Sequence, residues 1–187
     1  MERADYHQGG WTVRIFYFST EWTIVLCFVL WTVINLSAAF ICLHLPDKVF
    51  NPHSFFFRSH PFEKEGQIYE DVFKVKSWKK LLPDGGALWK KRGYKKRHIQ
   101  DFSQENLERF LIEACRGELT HWLSILPFWV FGFFLPASSI WVMLIYALIS
   151  NLPCIIAQRY NRPRFLHLFE RTLSRQHIAN VPDSWWR

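Results

Sequence analysis

The sequence lacks the features of several protein classes. Its four cysteines, at positions 27, 42, 115 and 154, show no paired spacing, which argues against a disulfide framework or a zinc motif. It contains no internal repeat and no low-complexity tract, so it does not encode a repeat array. Acidic residues are also scarce, since 16 Asp and Glu accompany 23 Lys and Arg. The chain is therefore basic, with a formal net charge of +7.

Charge is missing altogether from two long stretches. Residues 22–43 carry no formal charge, and as a helix they would be about 33 Å long, which matches one membrane crossing. Residues 122–157 are uncharged as well. The chain also has 18 Phe and 10 Trp, and aromatic rings of this kind anchor segments at membrane interfaces. These patterns predict an α-helical integral membrane protein.

The second uncharged stretch predicts a hairpin that turns at residues 136–139. Its first arm, residues 122–135, would be only about 21 Å long as an α-helix, which is short for a crossing. A tilted hairpin, a re-entrant element and local thinning of the bilayer all stay open. We predict about three transmembrane helices, with two as the alternative. The expected parts of this single membrane-embedded domain are a first helix (22–43), a cytoplasmic region (44–120), a hairpin (122–157) and a cytoplasmic tail (158–187).

Basic residues predict the orientation in the membrane. Residues 44–120 hold 15 of the 23 Lys and Arg, and residues 159–187 hold six more. The segment before the first apolar stretch has only Arg3 and Arg14. Because loops rich in Lys and Arg stay in the cytoplasm, we expect a multi-pass membrane protein with its N-terminus outside and its C-terminus inside.

The region between the apolar stretches is too rich in aromatic residues for a disordered linker. Residues 68–75 alternate roughly and predict either a short strand or an amphipathic piece on the membrane face. Residues 83–86, Pro-Asp-Gly-Gly, predict a turn. Residues 90–97 are mostly basic, and attraction to anionic lipid headgroups explains them better than capture of an acyl carrier's phosphates. Nucleic-acid binding is not expected, because no recognition motif accompanies this cluster.

A helix is predicted from Ser103, a good N-cap, to about Trp122. Near its end, Glu118 and His121 are three residues apart and can meet on one face. This spacing suggests a histidine general base oriented by a carboxylate, while a surface ion pair at a helix end is the simpler alternative. The Glu-x-x-His spacing also occurs in di-iron bundles, but no second copy exists here, so we expect no metal.

A second histidine offers an alternative base. His60 precedes Glu65 by five positions, a spacing like the His-x4-Asp dyad of glycerolipid acyltransferases, some relatives of which carry Glu. The pattern is short, and the surrounding residues predict a loop. An ordinary surface histidine is therefore the favoured interpretation of His60.

Four blocks of the sequence resemble the glycosyl-4,4'-diaponeurosporenoate acyltransferase family of staphyloxanthin-type carotenoid biosynthesis. In order, they are Gly66-Gln-Ile-Tyr-Glu70, Phe73-Lys-Val-Lys-Ser-Trp-Lys-Lys-Leu-Leu-Pro-Asp-Gly85, Glu113-Ala-Cys-Arg-Gly-Glu-Leu-Thr-His-Trp122 and Asn151-Leu-Pro-Cys-Ile-Ile-Ala-Gln-Arg-Tyr-Asn-Arg-Pro-Arg164. The resemblance runs from about residue 60 to 165. It implies a membrane enzyme that moves a fatty acyl group onto the primary hydroxyl of a glucosyl group on a carotenoid or similar glycolipid.

The chemistry of acyl transfer assigns expected roles to the polar residues of these blocks. A base takes the hydroxyl proton, a donor stabilises the oxyanion, and cations hold the carrier of the acyl thioester. We expect His121 to be the base and Glu118 its orienting partner. Arg116 could pair with Glu113 or face the oxyanion. The other candidate substrate-binding residues are Arg159, Arg162 and Arg164 for carrier phosphates, Asn151, Gln158 and Asn161 for sugar hydroxyls or the thioester carbonyl, and Trp78, Lys79 and Asp84 at the mouth of the site.

Each of these roles has a plainer alternative. The C-terminal arginines could simply anchor the last helix at the membrane surface, and Trp78 could be an interface anchor. For the whole chain, the competing hypothesis is a non-enzymatic membrane scaffold or lipid-binding partner of a biosynthetic complex. A scaffold would leave the polar clusters at 113–121 and 151–164 apart, whereas an enzyme would bring them to one site. No cofactor is expected. The expected partners are an acyl thioester donor, a glycosylated lipid acceptor and membrane lipids with anionic headgroups.

Overall fold

The computed structural model describes residues 14–82 and 103–179, and all regular secondary structure in these ranges is helical. The strand alternative for residues 68–75 is therefore wrong, because a helix covers Gln67–Phe73. The predicted turn at 83–86, which includes the site candidate Asp84, lies outside the described residues. The basic cluster at 90–97 lies outside them as well.

Two of the described helices are long and apolar enough to cross a membrane. The first, α1, runs from Thr20 to His44 and matches the expected first crossing. The second qualifying segment, Ala137–Ser174, belongs to the last helix. Only 17% and 22% of their most apolar windows are buried inside the structure, whereas the core helix of a water-soluble protein is mostly buried. Large apolar side chains such as Phe28 and Ile149 face outward. These features fit a helical membrane protein.

Helix α4 runs from Gln104 to Ile125 and begins after the predicted cap, Ser103. It then changes to a 3₁₀ helix over Leu126–Phe133. Pro127 explains the change, because proline lacks the N–H of an α-helical bond and its ring clashes with the preceding turn. The expected first arm of the hairpin is therefore the end of α4 followed by a 3₁₀ helix.

The last helix, α5, runs unbroken from Ala137 to Ala179. We expected the membrane arm to end at residue 157, but the helix continues into the segment interpreted as a tail. It contains Pro153 and Pro163, and each deprives a carbonyl four residues earlier of its usual helical donor. Neighbouring elements can supply contacts at such sites.

The three long helices form an antiparallel arrangement. Trp31 of α1 packs against Phe131, with ring centroids 4.8 Å apart, and against Tyr146 of α5 at 5.2 Å. At the other end of the bundle, Phe110 of α4 packs on Phe165 of α5 at 3.9 Å. The apolar core between the helices consists of Trp31, Ile34, Ile125, Phe131, Phe134, Leu135, Ala147 and Ile155.

The residues after α1 cover the end of the bundle opposite the α4–α5 turn. They contain 3₁₀ helices at Asp47–Val49, Pro61–Gly66 and Lys79–Leu81, together with two short α-helices, α2 (Gln67–Phe73) and α3 (Val75–Trp78). Phe50 and Phe57 of this segment form a small buried apolar cluster with Cys115 of α4. We call residues 46–82 the cap. It places polar side chains against α4 and α5, where the apolar part of the bundle ends.

Candidate active site

His121 of α4 meets Asn151 of α5 beside the apolar core. Its ring atom Nδ1 lies 2.9 Å from Oδ1 of Asn151. The amide nitrogen of Asn151 donates to the carbonyl of Ala147 at 2.9 Å, so its oxygen is the atom that faces the histidine. An amide oxygen only accepts, and Nδ1 must therefore carry the proton in this contact. In the neutral ring the lone pair then lies on Nε2, which is the nitrogen that can act as a base.

Glu118 is completely buried one turn earlier on α4. Its carboxylate accepts from Nε of Arg159 at 2.7 Å and from Nη1 of Arg162 at 2.5 Å. The indole of Trp122 lies 3.4 Å from the same carboxylate. We expected Glu118 to orient His121, but the partner of Nδ1 is Asn151, and the carboxylate is bound by two guanidinium groups. The geometry gives Glu118 the position of a buried counterion.

Arg159 connects α5 to the cap. Besides Glu118, it binds Oε1 of Glu63 at 2.9 Å and the carbonyl of Phe56 at 2.8 Å. Arg162 is 3% exposed, and its guanidinium lies over the ring of Phe57 at 5.6 Å. Both arginines were expected to capture phosphates. In the structure their charges are matched by buried carboxylates, which ties the cap to α4 and α5.

Glu63 is the main polar residue that sequence reasoning missed. It is 2% exposed and accepts hydrogen bonds from the hydroxyl of Tyr69 and from the backbone N–H of His60, the latter at 2.7 Å. Burial alone would raise the pKa of Glu63, but the hydrogen bonds from Tyr69, His60 and Arg159 outweigh burial and lower it. The pKa of Tyr69 is raised by its own burial and by this carboxylate. Glu63 therefore stays ionised in the fold.

The alternative pair of His60 and Glu65 does not form among the described residues. The ring of His60 packs against Phe55 and Phe62, with centroids 5.3 and 5.8 Å away. Glu65 is exposed, and its carboxylate lies 3.1 Å from Nε2 of His167 on α5. The segment does supply a buried acid, but this acid is two positions before the one considered.

Arg116 forms ion pairs with Glu113 and Asp47, and its guanidinium lies 4.8 Å from the ring centroid of Phe50. The structure thus contains the first of its two predicted arrangements. This group lines an open groove of about 430 Å³ between the end of α1 and α4. The lining residues are Leu43, Leu45, Asp47, Glu105, Glu108, Arg109, Ile112, Glu113 and Arg116.

Two further cations meet at Tyr160 of α5. Nζ of Lys79 donates to Oδ1 of Asn161 at 2.9 Å and lies 4.7 Å from the ring centroid of Tyr160. The guanidinium of Arg164 lies 3.7 Å from the same centroid and donates to the carbonyl of Tyr160. Burial and the positive charge of Arg164 lower the pKa of Lys79. The predicted residues Lys79, Asn161 and Arg164 are therefore brought together.

The remaining predicted residues lie nearby with other contacts. The indole N–H of Trp78 donates to the carbonyl of Phe73 at 2.7 Å, which links α3 to the end of α2. Gln158 is half-buried on α5 beside Arg159. The described residues contain no group of three His, Cys, Asp or Glu side chains placed to hold a metal ion.

Gly66 explains how the cap approaches α5 so closely. A Cβ atom built on Gly66 would lie 3.1 Å from the carbonyl oxygens of both Arg159 and Tyr160. Pro163 leaves the Arg159 carbonyl without its usual helical donor, so this part of α5 presents a polar backbone to the cap. The φ angle of Gly66 is +83°, which also favours glycine. The contact holds Glu63 beside Arg159.

Comparison with known proteins identifies the family. The family model for glycosyl-4,4'-diaponeurosporenoate acyltransferase matches residues 52–171. Proteins of that name from Staphylococcus aureus strains bovine RF122 / ET3-1, USA300 and NCTC 8325 / PS 47 are each 37% identical over 154 residues, covering 82% of this chain and 92% of theirs. No solved structure matches the chain. The match includes α4, most of α5 and most of the cap, and the chain therefore belongs to the glycosyl-4,4'-diaponeurosporenoate acyltransferase family and is an acyltransferase.

Proposed function

We propose that this chain transfers a fatty acyl group from an acyl thioester to the primary hydroxyl of a glucosyl group on a carotenoid or similar glycolipid. The acceptor follows from the name of its relatives, and the thioester donor from the chemistry of acyl transfer. The observation that carries the proposal is the contact of His121 with Asn151. Because Nδ1 carries the proton in this contact, beside the apolar core of the bundle, the contact supports a basic Nε2.

His121 acts as the general base in this proposal. Nε2 takes the proton of the sugar hydroxyl while the hydroxyl oxygen attacks the thioester carbonyl. The tetrahedral intermediate then collapses, the carbon–sulfur bond breaks, and the imidazolium returns the proton to the departing thiolate. The products are an ester and a free thiol, so atoms and charge balance without a cofactor. Asn151 acts as a positioning residue, because it keeps the proton on Nδ1 through the cycle.

Convergence of the two polar clusters supports an enzyme over a scaffold. Glu118 and His121 belong to the cluster at 113–121, and their partners all belong to the cluster at 151–164. Completely burying a carboxylate is costly unless the charge is paired, so this arrangement demands the geometry that the fold provides. A scaffold that only binds lipid needs no such buried network.

We further propose three crossings, with the N-terminus outside and the C-terminus in the cytoplasm. The 3₁₀ geometry supports this count, because eight residues with about 2.0 Å rise each span about 16 Å, where an α-helix would span about 12 Å. The backbone N–H groups of Ile15 and Phe16, just before α1, donate to the carbonyl of Phe133 at 2.8 and 3.0 Å. The hydroxyl of Thr120 contacts Cys42 near the other end of α1. The segment from 120 to 133 thus contacts the chain near both ends of α1.

A transfer assay with the purified full chain tests the proposed function. Nanodiscs would contain the protein, a radiolabelled fatty acyl-CoA and a glucosylated carotenoid acid, and the ester would be measured by chromatography. We expect the wild type to form the ester, His121→Ala to lose about 10²- to 10⁴-fold in rate, and the exposed control His53→Ala to keep full activity. Full activity of a folded His121→Ala would remove the base assignment. Absence of ester from the wild type with every acyl thioester tried would overturn the proposed function.

A further inference from the structure

The arginines and lysines of the polar end differ in whether a carboxylate matches their charge. Arg159 and Arg162 are both paired with the buried Glu118, and Arg159 also with Glu63. Among the salt bridges of the described residues, none involves Lys79 or Arg164. These two cations nevertheless lie together, since each contacts the ring of Tyr160. Their charges therefore call for an external anion.

The surroundings of Lys79 strengthen this need. Arg164, Lys76 and Lys80 all act on it as like charges, and Glu70 is the opposing acid. The carboxylate of Glu70 accepts the backbone N–H of Lys76 at 2.9 Å. Like charges that are partly removed from water repel one another more strongly than in bulk solvent. Burial and, after it, the repulsion by Arg164 lower the pKa of Lys79.

The donor groups at this point suit a phosphate. Lys79 has three N–H donors, and the amide oxygen of Asn161 takes one of them. The fork of Arg164 has five donors, and one binds the Tyr160 carbonyl. Phosphate oxygens accept several charge-assisted hydrogen bonds at once, and guanidinium groups bind them in a bidentate manner. Two cations held on one ring are thus within reach of a single phosphate or diphosphate.

We propose that Lys79 and Arg164, held together by Tyr160 and Asn161, form the phosphate-binding site of this protein. This inference rests on the proposed function, in which the phosphate belongs to the carrier of the acyl thioester. An anionic lipid headgroup offers the same chemistry from a second source. The sequence predicted three arginines as phosphate ligands. This proposal keeps only Arg164 of the three and adds Lys79. Arg159 and Arg162 instead hold the cap to the bundle.

Binding measurements with coenzyme A test the site without any turnover. The full chain would be placed in neutral phosphatidylcholine nanodiscs and titrated by calorimetry with coenzyme A and with pantetheine, which lacks the phosphates. We expect Lys79→Gln/Arg164→Gln to weaken coenzyme A binding at least about ten-fold and to leave pantetheine binding unchanged. The matched control is Arg171→Gln, an exposed arginine two turns further along α5, which should bind like the wild type. The two single variants at Lys79 should differ in the same way. Lys79→Arg, which keeps the charge, should retain most of the coenzyme A affinity that Lys79→Gln loses.

A lipid arm separates the two sources of phosphate. If the wild type binds no coenzyme A but retains phosphatidylglycerol through purification better than the double variant does, the phosphate is that of a lipid headgroup. The proposal is overturned if the folded double variant matches the wild type in both arms. Thermal unfolding of each variant verifies the fold.

Kinetics distinguish failure of this site from failure of the proposed function. In the transfer assay, the double variant should raise the KM for the acyl donor while kcat stays near the wild-type value. A double variant with unchanged KM and kcat would remove the assignment of this site to the acyl carrier and leave the acyltransferase proposal standing. If the wild type binds coenzyme A through these residues but transfers no acyl group, the site stands and the proposed function is overturned.

Discussion

Oδ1 of Asn151 and Nδ1 of His121 lie 2.9 Å apart, although 30 positions separate the two residues along the chain. The contact joins α4 to α5 where the apolar core ends. Because the amide nitrogen of Asn151 is bound to the Ala147 carbonyl, the amide cannot rotate without losing that bond. The orientation of the histidine is thus set by the helix that carries Arg159 and Arg162.

The first prediction concerns this pair. We expect Asn151→Leu to lower kcat about 10²-fold with little change in either KM, because the ring loses the acceptor that holds its tautomer. His121→Ala/Asn151→Leu should be no slower than His121→Ala alone, since the two residues act as one unit. Steady-state kinetics of the three variants in nanodiscs measure this. Additive losses would show that Asn151 acts elsewhere, and the exposed neighbour Ser150→Leu serves as the control.

The second prediction concerns the buried charge of Glu118. Glu118→Gln removes the carboxylate that matches Arg159 and Arg162, so we expect a loss of about 3–5 kcal/mol in the free energy of unfolding. Denaturant titration in detergent, followed by tryptophan fluorescence, measures it. Glu113→Gln is the control. Its partner Arg116 still has an ion pair with Asp47, so the loss in the free energy of unfolding should be smaller.

A double variant makes the same prediction sharper. The double variant Glu118→Gln/Arg162→Gln should lose less free energy of unfolding than the two single variants together. Each single variant leaves one charge of this pair buried without its partner, whereas the double variant removes both charges. The comparison uses the same denaturant titrations. Strictly additive costs would contradict a coupled ion pair.

The third prediction concerns Gly66. We expect Gly66→Ala to destabilise the fold by about 2 kcal/mol, because its φ angle of +83° strains a residue with a Cβ and that atom would press on two carbonyl oxygens. Gly132→Ala is the matched control. Its new Cβ would meet the end of the Ile140 side chain at 2.9 Å, and a flexible side chain can move where a backbone cannot. Equal losses in thermal unfolding would contradict the close approach of the cap to α5.

The fourth prediction concerns acid sensitivity. The pKa of Glu63 is lowered from its ordinary value of 4.5, so the folded state holds its proton more weakly than the unfolded chain does. Its contribution to stability is therefore complete above about pH 4.5 and is lost as the pH falls through the lowered pKa. We expect Glu63→Gln to be less stable than the wild type at pH 7 and to lose less stability on acidification. The exposed Glu65→Gln should keep the wild-type slope between pH 6 and 3.

The fifth prediction concerns topology. With the four native cysteines replaced by alanine, a cysteine at Ser139, in the first turn of α5, should react with a membrane-impermeant maleimide added to intact cells. A cysteine at Ser174 should react only after the cells are opened. The reverse pattern would indicate either an inverted orientation or only two crossings, by α1 and α5, with the turn at 136–139 in the cytoplasm. Protection of both positions in intact cells would indicate that α5 does not cross the membrane.

Local sequence signals predicted the helices well where one signal dominates. The uncharged run 22–43 and the helix α1 nearly coincide, because an apolar stretch of that length has few other structures available in a membrane. α4 starts after Ser103, as predicted, although the Ser103 side chain makes no capping hydrogen bond. The segment 122–135 was harder, since Pro127 and the apolar composition act in opposite directions. The 3₁₀ helix there begins beside Pro127 and packs against Trp31 and the residues before α1.

The sequence indicated which residues belong to the candidate site better than it indicated which of them contact one another. His121 and Asn151 were both singled out, but the spacing rule within a helix favoured Glu118 as the partner. That rule compares only neighbours on one helix, whereas Asn151, which contacts Nδ1 of His121, lies on another. Glu63 escaped notice, because nothing in its local sequence distinguishes a buried acid from an exposed one.

The sequence by itself determined the apolar segments, the basic balance of the loops and the family. These properties depend on composition and on the order of residues, and both can be read from the sequence without the fold. Only the tertiary structure decided which charges neutralise one another. Glu118 and Glu63 match Arg159 and Arg162, whereas Lys79 and Arg164 share Tyr160 and take part in no salt bridge within the described part of the chain. The physical reason is that Coulomb and hydrogen-bond energies depend on distance and burial, which are set by the packing of α4, α5 and the cap.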